Sequence, residues 1–385
     1  MPTPGNTTTP GSLAPGSPAP ENTTPAITYP DTLTVQPIGR LDATVPIPGS
    51  KSLTNRALLL AALADGKSTL TNVLFADDSR RMLEALQTLG FDLAIDEPNT
   101  TVTITGTPGS AGRFPNPKAD LFLGNAGTAV RFLVGALCLG SSAGPATYQV
   151  RGIPRMHERP IGQLVEPLRQ LGATIDYDGN DGYPPLTIRV NQPLPGTQLT
   201  MAPTLSSQFI SALLQTAPCM PEGLTINFDG PVISKPYVEM TLKLMAQFGA
   251  EYETDDAMSF VTVKPTGYQA LNTAIEPDAS NATYFLAMAA VTGGRCTVPH
   301  LGKHSLQGDA GFARVLEQMG CQVQYTDDSI TVHGPTPGSG QLKGVDVDLN
   351  AMPDTAQTLA AVACFAEGPT TMRDIGNLRV KETDR

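Results

Sequence analysis

Tryptophan is absent from the 385 residues, and aromatic side chains make up only 5% of them. That scarcity argues against carbohydrate stacking and against aromatic anchors at an interface. Charge is sparse as well, at 16%, and its balance is acidic, −11 at pH 7. A general nucleic-acid binder needs a basic surface, so the balance argues against that class. It leaves room for a small anionic substrate, because a few arginines in a cleft set the local field. No apolar run approaches the roughly 18 residues of a membrane span, so no membrane partner is expected. Cys138, Cys219, Cys296, Cys321 and Cys364 are scattered and odd in number. They show neither metal-ligand spacing nor a disulfide framework, which suits a reducing, cytoplasmic setting. His300 and His304 flank Gly302 without the carboxylate of an HExxH helix, and no metal is expected there.

Residues 1–30 hold no Lys or Arg, the first being Arg40, and consist almost wholly of Pro, Thr, Gly, Ser, Ala and Asn. Such a composition cannot bury enough surface to order itself, so a disordered tail is expected. It has neither the basic and apolar regions of a signal peptide nor the arginines of a transit peptide.

The remainder is patterned. LTVQPI, residues 33–38, reads as a short strand. SKSLTNRALLLAALADG follows as a helix whose apolar face runs through Leu53, Ala57, Leu60, Ala61 and Ala64. STLTNVLF is the next strand, DDSRRMLEALQTLG a second helix with acidic residues at its start and Gly90 at its stop, and FDLAID and TVTITG are two closing strands. That order recurs. Ser52, Thr128, Ser207, Ser280 and Asp354 mark successive first helices about 75 residues apart, far longer than a solenoid period. The second helices end LQTLG, LRQLG, LMAQFG and LEQMG, each followed by a strand. A length of 385 residues exceeds one ordinary core, and two domains are expected. Every unit opens its first helix with Gly, Ser, Thr, Asn or Asp. Several helix N-termini, each with free amides and partial positive charge, can then converge on an anion.

Four stretches carry a specific resemblance: PGSKSLTNRALLLAAL (48–63), LFLGNAGTAVRFL (121–133), RMHERPIG (155–162) and RVKETDR (379–385). In this order they resemble the 5-enolpyruvylshikimate-3-phosphate synthase family of enolpyruvyl transferases, across essentially everything from Leu33 to Arg385. The resemblance implies an α/β, two-domain fold of repeated βαβαββ units, three per domain, with the active site in the cleft between them. Residues 31–50 and 271–385 would form one domain and 51–270 the other. The implied reaction joins the 5-hydroxyl of shikimate 3-phosphate to phosphoenolpyruvate and expels phosphate, with no metal or organic cofactor and a monomer as the working unit. The alternatives are an inactive fragment or a non-catalytic binder of shikimate 3-phosphate. The family pattern continues past RVKETDR with an Asp-His-Arg motif and a later lysine. By the repeat period, roughly 20 residues of the fifth unit and a further unit are expected to be missing.

Residue roles follow from the same resemblance. Lys51 would touch both substrates, and Ser52 and Arg56 the shikimate moiety, Arg56 gripping its carboxylate. Gly127, Thr128 and Arg159 would receive phosphoenolpyruvate. Ser206, Ser207 and Ser234 would hold the 3-phosphate, Gln208 would bridge the substrates, and Tyr237 would pack beside the ring. Read alone, these serines are ordinary helix caps and the Gly-Asn-Ala-Gly-Thr loop is ordinary capping. Asp354, which alone reads as a cap too, is the implied base. Glu382, with Lys51, is the implied proton donor; two carboxylates in different environments can divide such tasks. Asn377 and Lys381 would hold shikimate 3-phosphate, and Arg385 the phosphoenolpyruvate carboxylate. Two departures stand out: Phe132, where proline is frequent, and His157, where lysine is frequent. The first bears on how well the herbicide glyphosate competes.

Overall fold

The repeat is built from local signals that can be followed residue by residue. Helix α1 (Lys51–Leu63) starts where the Ser50 hydroxyl accepts from the Leu53 amide. Helix α2 (Asp77–Thr88) opens on two aspartates, which suit the positive end of its dipole. Helices α3 (Gly127–Leu137), α4 (Gly162–Gln170), α5 (Ser207–Thr216), α6 (Lys235–Gln247), α7 (Ala279–Thr292), α8 (Phe312–Gln318) and α9 (Ala356–Ala363) continue the alternation. Gly90, Gly172, Gly249 and Gly320 end the second helix of four units with φ of +94°, +102°, +87° and +107°. A side chain would be strained in that left-handed turn. The structure, a computed structural model, describes residues 32–385 apart from 108, 110–111, 193, 203–205, 336–339 and 381–385. The expected tail at 1–30 therefore lies outside the described residues.

Each complete unit contributes a four-stranded mixed sheet. In the second unit Lys118–Phe122 runs parallel to Ala146–Arg151, which pairs antiparallel with Leu186–Val190, which pairs antiparallel with Thr174–Tyr177. The third unit repeats this order with Gln198–Met201, Leu224–Phe228, Phe260–Val263 and Tyr252–Thr254. In the first unit the outer parallel strand comes from far away: Asn272–Ala274 pairs with Lys67–Thr71. The fourth unit borrows likewise, Asp42–Thr44 pairing with Arg295–Thr297. Asn272–Ala274 thus belongs to the sheet of the first unit. The expected strand at 33–38 is not formed. Leu33, Val35 and Ile38 are exposed, and Pro37 lacks the amide a ladder needs. The strand that serves this role is Asp42–Thr44. The fifth unit has two short parallel pairs, Leu342–Lys343 with Ala366–Glu367 and Asp346–Asp348 with Thr371–Arg373.

Within residues 39–385 the buried apolar side chains fall into two clusters. One runs from Leu53 to Ile275, the other takes Ile47 and then residues 279–378. The two crossing segments lie side by side: the Ser50 amide donates to the Glu276 carbonyl at 2.8 Å and the Asp278 amide to the Pro48 carbonyl at 2.9 Å. In the first cluster every residue of α3 is buried, because α1, α3 and α5 pack together as an inner layer. In the second cluster α7 shows Tyr284 to solvent at 50% exposure, and Phe365, two residues past the end of α9, is 63% exposed.

Candidate active site

The junction of α1, α3, α5 and α6 encloses a cation. Arg56 is 1% exposed. Its Nε donates to Thr241 Oγ1 at 2.8 Å, Nη1 to the Ser52 carbonyl at 3.0 Å and Nη2 to Ser211 Oγ at 3.3 Å. The Phe132 ring lies under the guanidinium, 4.8 Å from its carbon. All these partners are neutral. Burial lowers the Arg56 pKa to about 10, so the group is still charged at neutral pH. Three of the five N–H donors of a guanidinium are thereby engaged.

One turn earlier on α1, Lys51 approaches Asp78 at 3.7 Å, and its amide donates to Asp278 Oδ2 at 3.3 Å. Lys51 is thus held by a carboxylate as well as placed at a helix start. Ser52 shares a narrow cleft with Tyr237, Asp278, Ser280, Gln307 and Asp309. The Gln307 side chain in turn donates to Glu276 and to the Pro277 carbonyl, which anchors that wall to the crossing segment.

The α3 start forms a second cationic corner. Arg159 Nη1 donates to the Asn125 carbonyl at 2.9 Å and to its Oδ1 at 3.3 Å. A Cβ on Gly127 would meet the Arg159 guanidinium at 2.5–2.8 Å, so this approach requires glycine. Thr128 Oγ1 accepts from Gln208 Nε2 at 3.5 Å, and Gln208 Oε1 accepts from Arg131, tying the start of α5 to α3. Ser206 caps α5, accepting from the Gln208 amide at 3.3 Å. Ser207 and Ser234 are buried, and Ser234 adopts φ +52° at the start of α6.

Asp354 does not cap its helix; its carboxylate accepts from the Tyr237 hydroxyl at 2.9 Å. Burial first, then the nearby charges of Asp309 and Asp354, hold the Tyr237 pKa well above the usual 10.0. Lys381, Glu382 and Arg385 lie outside the described residues. Asn377 sits in the 3-10 turn Gly376–Val380. Sequence reasoning missed Arg131, Thr241, Ser211 and Asp78. Arg131 had a signal, being the lone charge in the apolar helix GTAVRFLVGAL. His157 Nε2 accepts from the Gly152 amide, a local loop contact.

The profile of the family described as EPSP synthase (3-phosphoshikimate 1-carboxyvinyltransferase) matches residues 35–385. The chain belongs to the EPSP synthase family. The 3-phosphoshikimate 1-carboxyvinyltransferase of Paraburkholderia phytofirmans is 49% identical over 357 residues, 92% of this chain and 80% of that protein. That of Serratia proteamaculans is 48% identical over 356 residues, with the same two shares. An EPSP synthase structure from Acinetobacter baumannii superposes with a TM-score of 0.75 at 25% identity, covering 90% of this chain and 76% of that one. The enolpyruvyl transferase NikO from Streptomyces tendae, at 17% identity and a TM-score of 0.63, covers 87% of this chain and 75% of its own, and shares the fold. The repeated mixed sheets are those of the two-domain α/β enolpyruvyl transferase fold. Three contacts carry these residues toward one another: Arg56 to the Ser52 carbonyl, Tyr237 to Asp354, and Gln208 to Thr128.

Proposed function

We propose that this chain catalyses the reaction named for its family, transfer of the enolpyruvyl group of phosphoenolpyruvate to the 5-hydroxyl of shikimate 3-phosphate. The observation that carries the reading is Arg56, a fully buried guanidinium whose partners among the described residues are all neutral. Burying an unpaired charge costs several kcal/mol. Such a group is stable in place when an anionic ligand completes it, and a substrate carboxylate fits its two remaining donors. The second anion sits at the other cationic corner: Gly127, Thr128 and Arg159 receive phosphoenolpyruvate at the start of α3. Ser206, Ser207 and Ser234, at the starts of α5 and α6, supply neutral donors to the 3-phosphate. Gln208 lies between the two corners, and Tyr237 flanks the shikimate ring with Ser52.

In the first step Asp354 takes the proton of the 5-hydroxyl while its oxygen bonds to C2 of phosphoenolpyruvate. A proton reaches the methylene carbon from Glu382, with Lys51 beside it. In the second step a proton leaves the new methyl group and the C–O bond to phosphate breaks, which restores the enol ether. Tyr237 orients Asp354 for the first transfer. Asn377 and Lys381 hold shikimate 3-phosphate, and Arg385 the phosphoenolpyruvate carboxylate. Residues 51–270 with the strand at 272–274 act as one domain, 39–50 with the residues after 274 as the other, in a single working polypeptide.

The test is phosphate release from phosphoenolpyruvate by the chain. The reading requires release that depends on added shikimate 3-phosphate. Release that ignores shikimate 3-phosphate would overturn it.

A further inference from the structure

We propose that Phe132 is a positioning residue for the known reaction: its ring fixes the plane of Arg56 so that the two remaining guanidinium donors meet a substrate carboxylate edge-on. The inference rests on the reading of Arg56 as the carboxylate contact. Phe132 is fully buried on α3, four residues after Thr128 and so on the same helix face. Its centroid lies 4.8 Å from the Arg56 carbon. A guanidinium over an aromatic face at that distance is attracted by the ring quadrupole, and more strongly when water is excluded.

The arrangement is over-determined in a useful way. Thr241, the Ser52 carbonyl and Ser211 engage guanidinium edges from α6, α1 and α5. The ring supplies the remaining constraint, from α3, on a face that accepts no hydrogen bond. Rotation about the terminal bonds of Arg56 would lift the guanidinium off the ring and break those three contacts together. A bidentate carboxylate contact requires such a plane to be set in advance. The same helix carries Gly127 and Thr128 at its start, so the ring also ties the carboxylate corner to the other anion corner. An aliphatic side chain of similar size would fill the space without holding the plane.

Replacing Phe132 with mono-, di- and trifluorophenylalanine keeps its shape while draining the ring face of negative charge. Calorimetric binding of shikimate 3-phosphate to the full-length chain, and of the same phosphate lacking its carboxylate, reads the effect. The expected result is a stepwise loss of affinity for shikimate 3-phosphate, about three- to tenfold across the series. The carboxylate-free compound should bind equally to all four proteins, and melting temperatures should stay level. Equal affinity for shikimate 3-phosphate throughout the series, with the carboxylate-free compound binding more weakly to the unsubstituted chain, would overturn the role of Phe132 alone. Equal affinity of the unsubstituted chain for both compounds, or binding of neither, would overturn the Arg56 reading and the inference with it.

Discussion

Tyr237 at the start of α6 donates its hydroxyl to the carboxylate of Asp354 at 2.9 Å, joining residues 117 apart in sequence. The bond links an element of the first buried cluster to the 3-10 turn that precedes α9. It ties Asp354 to a residue that lines the cleft with Ser52.

Removing the two ends of that bond should give different kinetics. Asp354→Asn should lower kcat by at least about 100-fold, the usual scale for a lost general base. Shikimate 3-phosphate binding should change far less, because the lost interaction belongs to the transition state. Tyr237→Phe should reduce kcat by a smaller factor and weaken binding too. Steady-state kinetics alongside calorimetry would check this; near-normal turnover in Asp354→Asn would remove the base from its assigned place.

Gly127→Ala places a methyl group within 2.5–2.8 Å of the Arg159 guanidinium. Arg159 is the flexible partner, so it should swing off Asn125 rather than unfold the helix. A displaced charged hydrogen bond is worth about 1.5–3 kcal/mol, which predicts a phosphoenolpyruvate KM raised by about tenfold or more. The melting temperature should hardly move. An unchanged KM would show that Arg159 does not hold that substrate.

Alkaline pH should destabilise the fold through buried tyrosines. Burial holds the hydroxyls of Tyr237 and Tyr268 well above the usual 10.0. A folded pKa above the unfolded one means that the folded chain keeps its protons longer. The stabilisation is therefore complete below pH about 10 and falls as pH rises from there toward the folded value. Melting temperature against pH should be level at neutral pH and fall on the alkaline side, and Tyr268→Phe should flatten that fall. A fall of equal steepness in the variant would assign it to other groups.

Hydrogen exchange should divide the chain. Helices α1, α3 and α5 form an inner layer, whereas α7 shows Tyr284 to solvent and α9 shows Ala360 and Ala361. Amides in 51–63, 127–137 and 207–216 should exchange more slowly than those in 279–292 and 356–363, because local opening there exposes less new apolar surface. Uniform protection across both sets would contradict this ordering.

Much of the architecture was legible because its signals are local. A serine before an apolar stripe starts a helix, and Gly90, Gly172, Gly249 and Gly320 stop one, whatever the rest of the chain does. The repeat and the glycine-rich loop before α3 could be read in the same way. The motifs also placed Arg56, Gly127, Gln208, Tyr237 and Asp354 as candidates before any of their contacts were known. Partners were another matter. Asn272–Ala274 completes a sheet begun at Lys67, and Asp42–Thr44 completes one begun at Arg295. A parallel edge strand is chosen by which sheet edge it can reach, so the apolar run at 33–38 misled. Arg56 finds Ser211 and Thr241, 155 and 185 residues away. Asp354 finds a tyrosine instead of its own helix. Only packing decides whether a buried charge or hydroxyl is satisfied nearby or across the molecule, because each such group takes the partner that excludes water with it.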